Sequence, residues 1–339
     1  MIDFAVGFAT ARTHAPTPTL PRTRGRAREG AIRCRTRTGY LVWERLRKAV
    51  LPACILVLAL IAALPCAAAG PTWPAITEPP TSRYVPGKWV WVELFTEDAQ
   101  AAVQFYGQTF GWSFQDFPGR RGPGYKLALA DGEPVGGMLQ RQHRDQAERG
   151  SRWLGMISVP DVKAAARYAA EHGGKVVTPP RVLPGRGEVA LLADPEGTPF
   201  GVIRSAAGDP PDYLAEDRQW VWIELWARDP QAMAQFYSGL AGYEIDPVER
   251  PDGSLGYFLA SGGYTRCAII PSPAPAVAPA WLPYLRVGDV KAAVAQAEQA
   301  GARIAVPPSP GIRAGRVALI IDPTGAPLGL AQLAEPEAE

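Results

Sequence analysis

Two aromatic-rich stretches each place a carboxylate among tryptophans at two-residue spacing. Residues 88–111 read KWVWVELFTEDAQAAVQFYGQTFG, and residues 219–242 read QWVWIELWARDPQAMAQFYSGLAG. Side chains two positions apart on an extended strand point to the same face. The spacing therefore predicts two equivalent clusters, each lining one face of a strand: Trp89, Trp91 and Glu93, and Trp220, Trp222 and Glu224.

A wall of tryptophans with one carboxylate suits a planar, apolar or cationic small molecule, held by stacking and cation–π contacts. A glutamate in an apolar pocket can also act as a general base, a role open to Glu93 or Glu224. The alternative is structural: the rings fill the interior and each glutamate pairs with an arginine, with Arg204 and Arg286 as candidates. The sequence contains no nucleophile elbow, Ser-His-Asp pattern or phosphate-binding glycine loop.

Both clusters belong to a long repeat. Seven residues recur 131 positions later in the same register: Trp89, Trp91, Glu93, Asp98, Phe105, Tyr106 and Gly111. Each aspartate is a suitable helix N-cap, and a glycine 13 residues further on is a suitable helix end. Strand-like runs and turn residues then follow in a strand–helix–three-strand order. Residues 88–204 therefore read as two βαβββ units in tandem, and residues 219–333 as two more.

The chain is long enough for two domains, and its composition changes along its length. The first 48 residues hold 11 of the 35 Lys and Arg, whereas the remainder carries 24 against 30 Asp and Glu. A mildly acidic domain pair gives no electrostatic reason to expect nucleic acid or an anionic membrane as a partner. The predicted segments are a disordered basic leader (1–43), a signal peptide (44–69), an exposed tether (70–87), a first domain (88–204), a linker (205–218), a second domain (219–333) and a tail (334–339).

The predicted signal peptide has a basic start, an apolar run over residues 49–65 and small residues at 67–69. This pattern is typical of Sec-type export with cleavage near Ala69. The alternatives are an uncleaved membrane anchor or a lipid anchor at Cys66, and the leader before the signal peptide is alternatively explained by a start codon assigned too early. The expected location is periplasmic or otherwise extracytoplasmic. After cleavage Cys267 alone remains, so no internal disulfide is expected.

Two pairs of motifs carry a family resemblance. They are DAQAAVQFYGQTFGW with DPEGTPFG, and DPQAMAQFYSGLAGY with DPTGAPLG. With the paired βαβββ order, they resemble the vicinal-oxygen-chelate superfamily, which includes glyoxalase I, extradiol dioxygenases and bleomycin-resistance proteins. The resemblance covers residues 88–204 and 219–333. It implies an α+β fold of two tandem domains, each a curled eight-stranded half-barrel with helices outside and a site on the concave face.

The resemblance also implies a divalent metal, held in the family's enzymes by His and Glu from the first, fifth and last strands. The matching first-strand positions are Trp91 and Trp222, and the matching last-strand positions are Gly201 and Gly329. The fifth strands, WLGMISV and WLPYLRV, contain no histidine. Of the histidines after the signal segment, His143 reads as a surface residue and His172 as a helix cap. We therefore expect no metal and no other cofactor.

The leading functional interpretation is an exported, metal-independent protein that binds an aromatic or cationic small molecule in aromatic-walled half-barrels. Two alternatives stay open. One is a lyase, epimerase or dioxygenase that uses Glu93 or Glu224 as a base or an atypical metal ligand. The other is a structural or interaction module with filled pockets. The sequence leaves the ligand and the oligomeric state open, and membrane contact is expected only through an uncleaved signal or lipid anchor.

Overall fold

Two eight-stranded sheets, each with two helices on one face, form the part of the chain that this computed structural model describes. The described residues are 72–117, 124–141 and 150–334, and they belong to one compact unit. The predicted leader and signal peptide, His143 and the tail beyond residue 334 lie outside them. Among the described residues, no helix is long and apolar enough to cross a membrane.

The first domain follows the predicted order of elements. Its first unit comprises β1 (Trp89–Thr96), α1 (Ala99–Phe110), β2 (Ser113–Phe117), β3 (Tyr125–Ala130) and β4 (Glu133–Gln140). Its second unit comprises β5 (Arg152–Ser158), α2 (Val162–Glu171), β6 (Lys175–Leu183), β7 (Gly187–Ala193) and β8 (Pro199–Ser205).

The second domain repeats this order. Its first unit comprises β9 (Trp220–Ala227), α3 (Pro230–Ala241), β10 (Glu244–Glu249), β11 (Leu255–Ser261) and β12 (Tyr264–Pro271). Its second unit comprises β13 (Ala280–Arg286), α4 (Val290–Gln299), β14 (Arg303–Val306), β15 (Val317–Ile321) and β16 (Pro327–Ala331).

The helix boundaries follow from local capping. The Asp98 side chain accepts hydrogen bonds from the backbone N–H groups of Gln100 and Ala101, both at 3.0 Å, which fixes the start of α1. Gly111 ends that helix with φ 67°, a left-handed conformation that favours glycine. The other three α-helices of the described part also begin after a capping aspartate: Asp161, Asp229 and Asp289.

The strand order is β2-β3-β4-β1-β5-β8-β7-β6 in the first sheet and β10-β11-β12-β9-β13-β16-β15-β14 in the second. The first strands of the two units, β1 and β5, pair antiparallel at the centre, and each pairs in parallel with the last strand of its own unit. The predicted α+β fold of tandem half-barrels is confirmed. We call β1–β8 the first half-barrel and β9–β16 the second, and we call the face of each that points away from its helices the concave face.

The two domains pack through their helix-covered faces. Helix α1 contacts α4, and α2 contacts α3. One buried cluster joins the second unit of the first domain to the first unit of the second, and another joins the two remaining units. Each concave face has a separate apolar cluster of its own. The main core therefore lies between the domains, and the concave faces lie outside it.

The repeated motif residues join the domains. The hydroxyl of Tyr106 on α1 donates to Oδ2 of Asp322, in the Asp-Pro turn of the second domain, at 2.8 Å. The same hydroxyl accepts a hydrogen bond from Nε1 of Trp153 at 2.7 Å. The motifs that carry the family resemblance therefore have a structural role at the domain interface. The reciprocal set is Tyr237, Asp194 and Trp281, with distances of 3.0 and 2.8 Å.

A β-bulge in the first strand of each domain changes which tryptophans share a face. Trp91 lies opposite Met156 and Trp89 lies opposite Ile157, so Val90 is an extra residue on β1. A bulge reverses the alternation of side chains beyond it. The second domain has the same irregularity between Trp222 and Trp220, which lie opposite Tyr284 and Leu285.

The prediction that Trp89 and Trp220 share a face with the glutamates is therefore wrong. The Trp89 ring packs on Trp281 of the second domain, with ring centroids 4.6 Å apart. The Trp220 ring packs on Trp153 of the first domain, with centroids 4.9 Å apart. These two tryptophans belong to the interface between the domains.

The segment predicted to be an exposed tether packs on the first half-barrel instead. We call residues 72–87 the N-terminal segment. Ile76 is buried in the apolar cluster of the first concave face, and Thr81 donates its backbone N–H to the carbonyl oxygen of Ala207 at 2.9 Å. The backbone N–H of Val85 donates to Oδ2 of Asp209 at 2.6 Å. Part of this segment therefore covers the first concave face.

Candidate functional site

The positions that the family's metal ligands would occupy lie side by side across three neighbouring strands. In the first half-barrel, Trp91 on β1 lies opposite Met156 on β5, which lies opposite Gly201 on β8. A divalent cation needs three or four converging nitrogen, oxygen or thiolate donors. An indole, a thioether and a hydrogen atom do not provide them, so these residues do not fit a divalent metal.

The same three positions in the second half-barrel are Trp222, Tyr284 and Gly329. Gly329 has no room for a donor side chain, because a Cβ there would lie 2.2 Å from the Tyr284 ring. Across the described ranges, no group of three His, Cys, Asp or Glu residues is placed to hold a metal ion. The donor chemistry of both half-barrels therefore differs from the set that the resemblance implies.

Glu93 lies at the centre of a buried hydrogen-bonded cluster on the first concave face. Its Oε1 accepts hydrogen bonds from Trp91 Nε1 at 2.9 Å, Tyr125 Oη at 3.2 Å and Arg186 Nη1 at 2.9 Å. Glu93 and Arg186 are 2% and 1% exposed, so the ion pair is sealed from solvent. Burial raises the pKa of Glu93, and the charge of Arg186 opposes that rise.

The N-terminal segment closes this cluster from outside. Arg186 Nε donates to the carbonyl oxygen of Pro74 at 2.7 Å. The Trp73 ring lies edge-on to Tyr125, with centroids 5.0 Å apart, and Ile76 is 4% exposed. The first concave face is therefore occupied by side chains and backbone of the protein itself.

Glu224 is the centre of a similar cluster on the second concave face. Its Oε1 accepts hydrogen bonds from Trp226 Nε1 at 3.0 Å and from Tyr284 Oη at 3.3 Å. Its Oε2 pairs with Nη2 of Arg313. The Arg313 side chain is 26% exposed, although Glu224 is buried. The carboxylate is neutralised in both half-barrels, but only in the second does its arginine reach solvent.

An aromatic and aliphatic surface surrounds the second cluster. Trp222 and Tyr284 are buried in it, and the Trp222 ring packs on Phe258 with centroids 6.1 Å apart. Its half-buried members keep part of their apolar surface exposed to solvent. These residues are Trp226, Phe258, Ile270, Leu319 and Leu333.

The structure brings four of the six predicted site residues to the concave faces: Trp91 and Glu93 in the first, and Trp222 and Glu224 in the second. The suggested arginine partners are wrong. Arg204 lies over the Tyr84 ring, and Arg286 pairs with Asp217 at 3.1 Å.

The arginines that do pair, Arg186 and Arg313, lie in the connections that lead into β7 and β15, and Arg313 begins a short 3-10 helix (Arg313–Gly315). A sequence signal for them exists, because each is an arginine within two residues of a glycine in a strand-to-strand turn: PGRGE and IRAGR. Nothing in the strand alternation points to Tyr125 or Tyr284 as partners of a particular glutamate.

His172 and Cys267 are residue types that acid–base or nucleophilic catalysis would use, but both have a structural environment in this fold. His172 follows α2, and its Nδ1 lies 2.8 Å from the carbonyl oxygen of Tyr168, on whose ring it stacks. Cys267 is fully buried, and burial raises the pKa of its thiol to about 12. A thiol that stays protonated is a poor nucleophile.

A family model described as the Glyoxalase/Bleomycin resistance protein/Dioxygenase superfamily matches residues 88–202 and 219–330. A Mycobacterium bovis protein named "Putative glyoxylase CFP32" is 29% identical over 249 residues, which cover 73% of this chain and 95% of that protein. The anthracycline biosynthesis protein DnrV of Streptomyces peucetius is 27% identical over 274 residues, covering 75% of this chain and 96% of that protein.

Solved structures share the fold at low identity. The Mn(II)-bound glyoxalase from Novosphingobium aromaticivorans aligns with a TM-score of 0.51 at 19% identity, over 74% of this chain and 84% of that one. A substrate complex of homoprotocatechuate 2,3-dioxygenase from Brevibacterium fuscum aligns with a TM-score of 0.50 at 12% identity, over 77% of this chain and 85% of that one. At such identities the likeness concerns the fold alone.

Proposed function

Because this chain belongs to the glyoxalase/bleomycin resistance protein/dioxygenase superfamily, we propose that it is a small-molecule-binding member whose second half-barrel takes one planar, largely apolar molecule without a divalent metal. The observation that carries the proposal is the difference between the two concave faces. Arg186 is 1% exposed beneath the N-terminal segment, whereas the Arg313 side chain is 26% exposed on a surface of half-buried aromatic and aliphatic side chains.

The second concave face has the composition of a ligand site. Its half-buried Trp226 and Phe258 offer ring surfaces for stacking, and Ile270 and Leu319 extend the apolar area. Small-molecule sites are mostly apolar with a few placed polar groups. The cluster around Glu224 provides polar groups of that kind. The first half-barrel is then the rigid partner of the binding domain.

A cationic ligand has less support than a planar apolar one. Each buried carboxylate already has a guanidinium partner, so its charge is not available to bind a second cation. Both oxygens of Glu224 accept from side chains of the protein. The same pairing weakens the alternative that Glu93 or Glu224 serves as a general base, because each carboxylate already accepts hydrogen bonds from side chains of the protein and both glutamates are buried.

The enzyme alternative has one specific observation in its favour, the name of the Mycobacterium bovis relative. A test of metal use separates the two candidates. The protein is dialysed against a chelator, and thermal unfolding is followed with and without Mn²⁺ or Zn²⁺. We expect the metals to leave the midpoint unchanged. Stoichiometric metal that stabilises the protein would support the enzyme alternative. The metal ligands would then be residues other than those at the matching positions on the first, fifth and last strands.

Binding is tested by titrating the intrinsic tryptophan fluorescence with 2-naphthalenemethanol, 2-naphthoate and 2-naphthylmethylammonium. We expect one site per chain. Phe258→Ala should weaken the best probe about tenfold, because it removes a half-buried ring worth about 1–3 kcal/mol of apolar contact. The matched control is Phe95→Ala, which removes a half-buried ring on β1 in the first half-barrel. Weakening by the Phe95 variant instead, or no binding of any probe, would contradict the assignment.

We also propose that the chain is exported, with residues 44–69 as its signal peptide and small molecules rather than nucleic acid as its partners. The proposal rests on the sequence pattern of those residues. The N-terminal sequence and mass of protein from the extracytoplasmic fraction provide the test. A mature chain that begins at about residue 70 agrees with export and cleavage, whereas an intact chain in the membrane fraction indicates an anchor.

A further inference from the structure

We propose that the ligand of the second half-barrel carries a carboxylate, which Arg250 and Arg313 recognise at the mouth of the concave face. This inference rests on the proposed function, since it names the chemical class of molecule that the same site would take. Three observations carry it: a glycine where the first half-barrel has a tyrosine, a guanidinium nitrogen without a hydrogen-bond partner in the part of the chain that the structure describes, and an arginine held in a strained turn.

The first observation is a difference in side chains between the concave faces of the two copies. In the first half-barrel, Leu127 lies opposite Gly137, and Tyr125 two residues earlier fills the concave face. In the second, Phe258 occupies the position of Leu127, so Gly256 occupies that of Tyr125. The phenol that accepts a hydrogen bond from Arg186 therefore has no counterpart on β11.

The side chain of Arg250 passes this glycine. Its Cδ would lie 3.6 Å from a Cβ added at Gly256, so its methylene groups run along the concave side of β11. Its Nε is buried and has no hydrogen-bond partner among the described residues. A carboxylate oxygen of Asp252 lies 3.8 Å away, beyond hydrogen-bond distance, and that side chain is 63% exposed. A buried donor of this kind favours a ligand with an acceptor.

The third observation is the turn that holds Arg313. Arg313 and Ala314 both have left-handed backbone conformations, with φ 46° and 53°. The first half-barrel has Gly185 at the position of Arg313, with φ 86°, where glycine adopts this conformation without strain. Backbone strain of this kind concentrates at functional sites. The strained turn places the Arg313 guanidinium 5.7 Å from the centre of the Tyr284 ring, partly exposed at the mouth of the concave face.

Charged groups of both signs lie on this side of the second half-barrel, and the anion preference comes from the guanidinium groups of Arg250 and Arg313. Arg313 is paired with Glu224, and Arg250 adds a second guanidinium, whose Nε lies 3.8 Å from a carboxylate oxygen of the exposed Asp252. Arg266 and Arg286 on neighbouring strands pair with Asp212 and Asp217 of the linker. Asp246 is an exposed acid opposite Phe258, at the outer strand of the sheet. Arginine binds a carboxylate through paired, charge-assisted hydrogen bonds.

The test compares two probes of one shape and different charge, 2-naphthoate and 2-naphthalenemethanol, against the full chain. We expect the naphthoate to bind about tenfold more tightly at low salt, because hydrogen bonds between charged groups are stronger than those of a neutral hydroxyl. Added salt should reduce that preference. Arg250→Gln should abolish most of the preference, because glutamine removes the guanidinium but keeps carbon atoms as far as Cδ, the atom that lies beside Gly256.

The control variant is Arg228→Gln, an exposed arginine that follows β9, and it should leave both affinities unchanged. Thermal unfolding of each variant checks that the fold is intact. Equal affinities for the two probes, or a preference that survives in Arg250→Gln, would overturn the carboxylate assignment while the proposed function stands. Failure of both probes to bind would overturn both.

Discussion

The two half-barrels surround a buried glutamate with the same side-chain types, but they take them from different positions. Glu93 and Glu224 are equivalent in the repeat, and each has a tryptophan, a tyrosine and an arginine as partners. The tyrosine comes from β3 in the first half-barrel and from β13 in the second, and the arginines are offset by one residue within corresponding turns. A buried carboxylate needs donors and a counter-charge, and the two copies meet that need separately.

The half-barrels differ in what covers these clusters. The first is closed by the N-terminal segment, with Ile76 in its apolar cluster and the Pro74 carbonyl on Arg186. The second has half-buried rings at its surface and a partly exposed arginine. This difference supports the proposal that the second copy holds the ligand, while the first belongs to the structural framework.

The largest expected effect comes from removing the glutamate charge in each copy. Glu93→Gln should lower the free energy of unfolding by about 3–5 kcal/mol, because it leaves the fully buried Arg186 without a counter-charge. Glu224→Gln should have a smaller effect, about 1–2 kcal/mol, since Arg313 can gain hydration. Urea unfolding at pH 7 measures both. Equal losses would show that the two ion pairs are not differently solvated.

The cover of the first half-barrel is tested next. Ile76→Ala should lower the free energy of unfolding by about 2–4 kcal/mol, the usual effect of removing a buried aliphatic side chain. Ile312→Ala is the matched variant in the second half-barrel, where the side chain is 44% exposed, and it should change stability by less than about 0.5 kcal/mol. A neutral Ile76 variant would mean that the N-terminal segment does not stay on the first concave face in solution.

The domain interface should respond to pH through Asp194. Burial raises the pKa of Asp194 to about 6, against hydrogen bonds from Thr198 and Tyr237 that favour its charged form. The folded state therefore holds this proton more tightly than the unfolded chain does. Stability should increase by about 1 kcal/mol as pH falls from 7 to 5, and this gain should disappear as pH rises through 6. Asp194→Asn should remove that part of the pH dependence, whereas Asn at the exposed Asp246 should not.

Much of the fold could be predicted from the sequence because its signals are local and occur twice. The capping aspartates, the glycine at the end of α1 and the alternation of strand residues each depend on neighbours in the chain. Repetition in one register then identified the tandem domains. The reciprocal hydrogen bonds of Tyr106 and Tyr237 across the domain interface were not predictable, because they depend on how the domains pack.

The candidate site was only partly predictable for a similar reason. One extra residue at Val90 moves Trp89 to the interface, and strand alternation alone does not reveal a bulge. The partners of the glutamates come from strands and turns far away in sequence, so their identity depends on register and turn length. Arg186 lies 93 residues from Glu93, and Arg313 lies 89 residues from Glu224.

The smallest expected effect concerns Arg286, the suggested partner of a glutamate, and distinguishes it from Arg313, which pairs with Glu224. Arg286 lies on β13 but pairs with Asp217, with side chains 29% and 46% exposed. Arg286→Gln should therefore lower the free energy of unfolding by about 0.2–1 kcal/mol, the range for exposed ion pairs. Chemical unfolding of Arg286→Gln is compared with that of Arg313→Gln. The second variant should lose more free energy of unfolding, because it leaves the buried Glu224 without its cation. A larger loss for Arg286→Gln than for Arg313→Gln would mean that Glu224 takes its counter-charge from β13 after all.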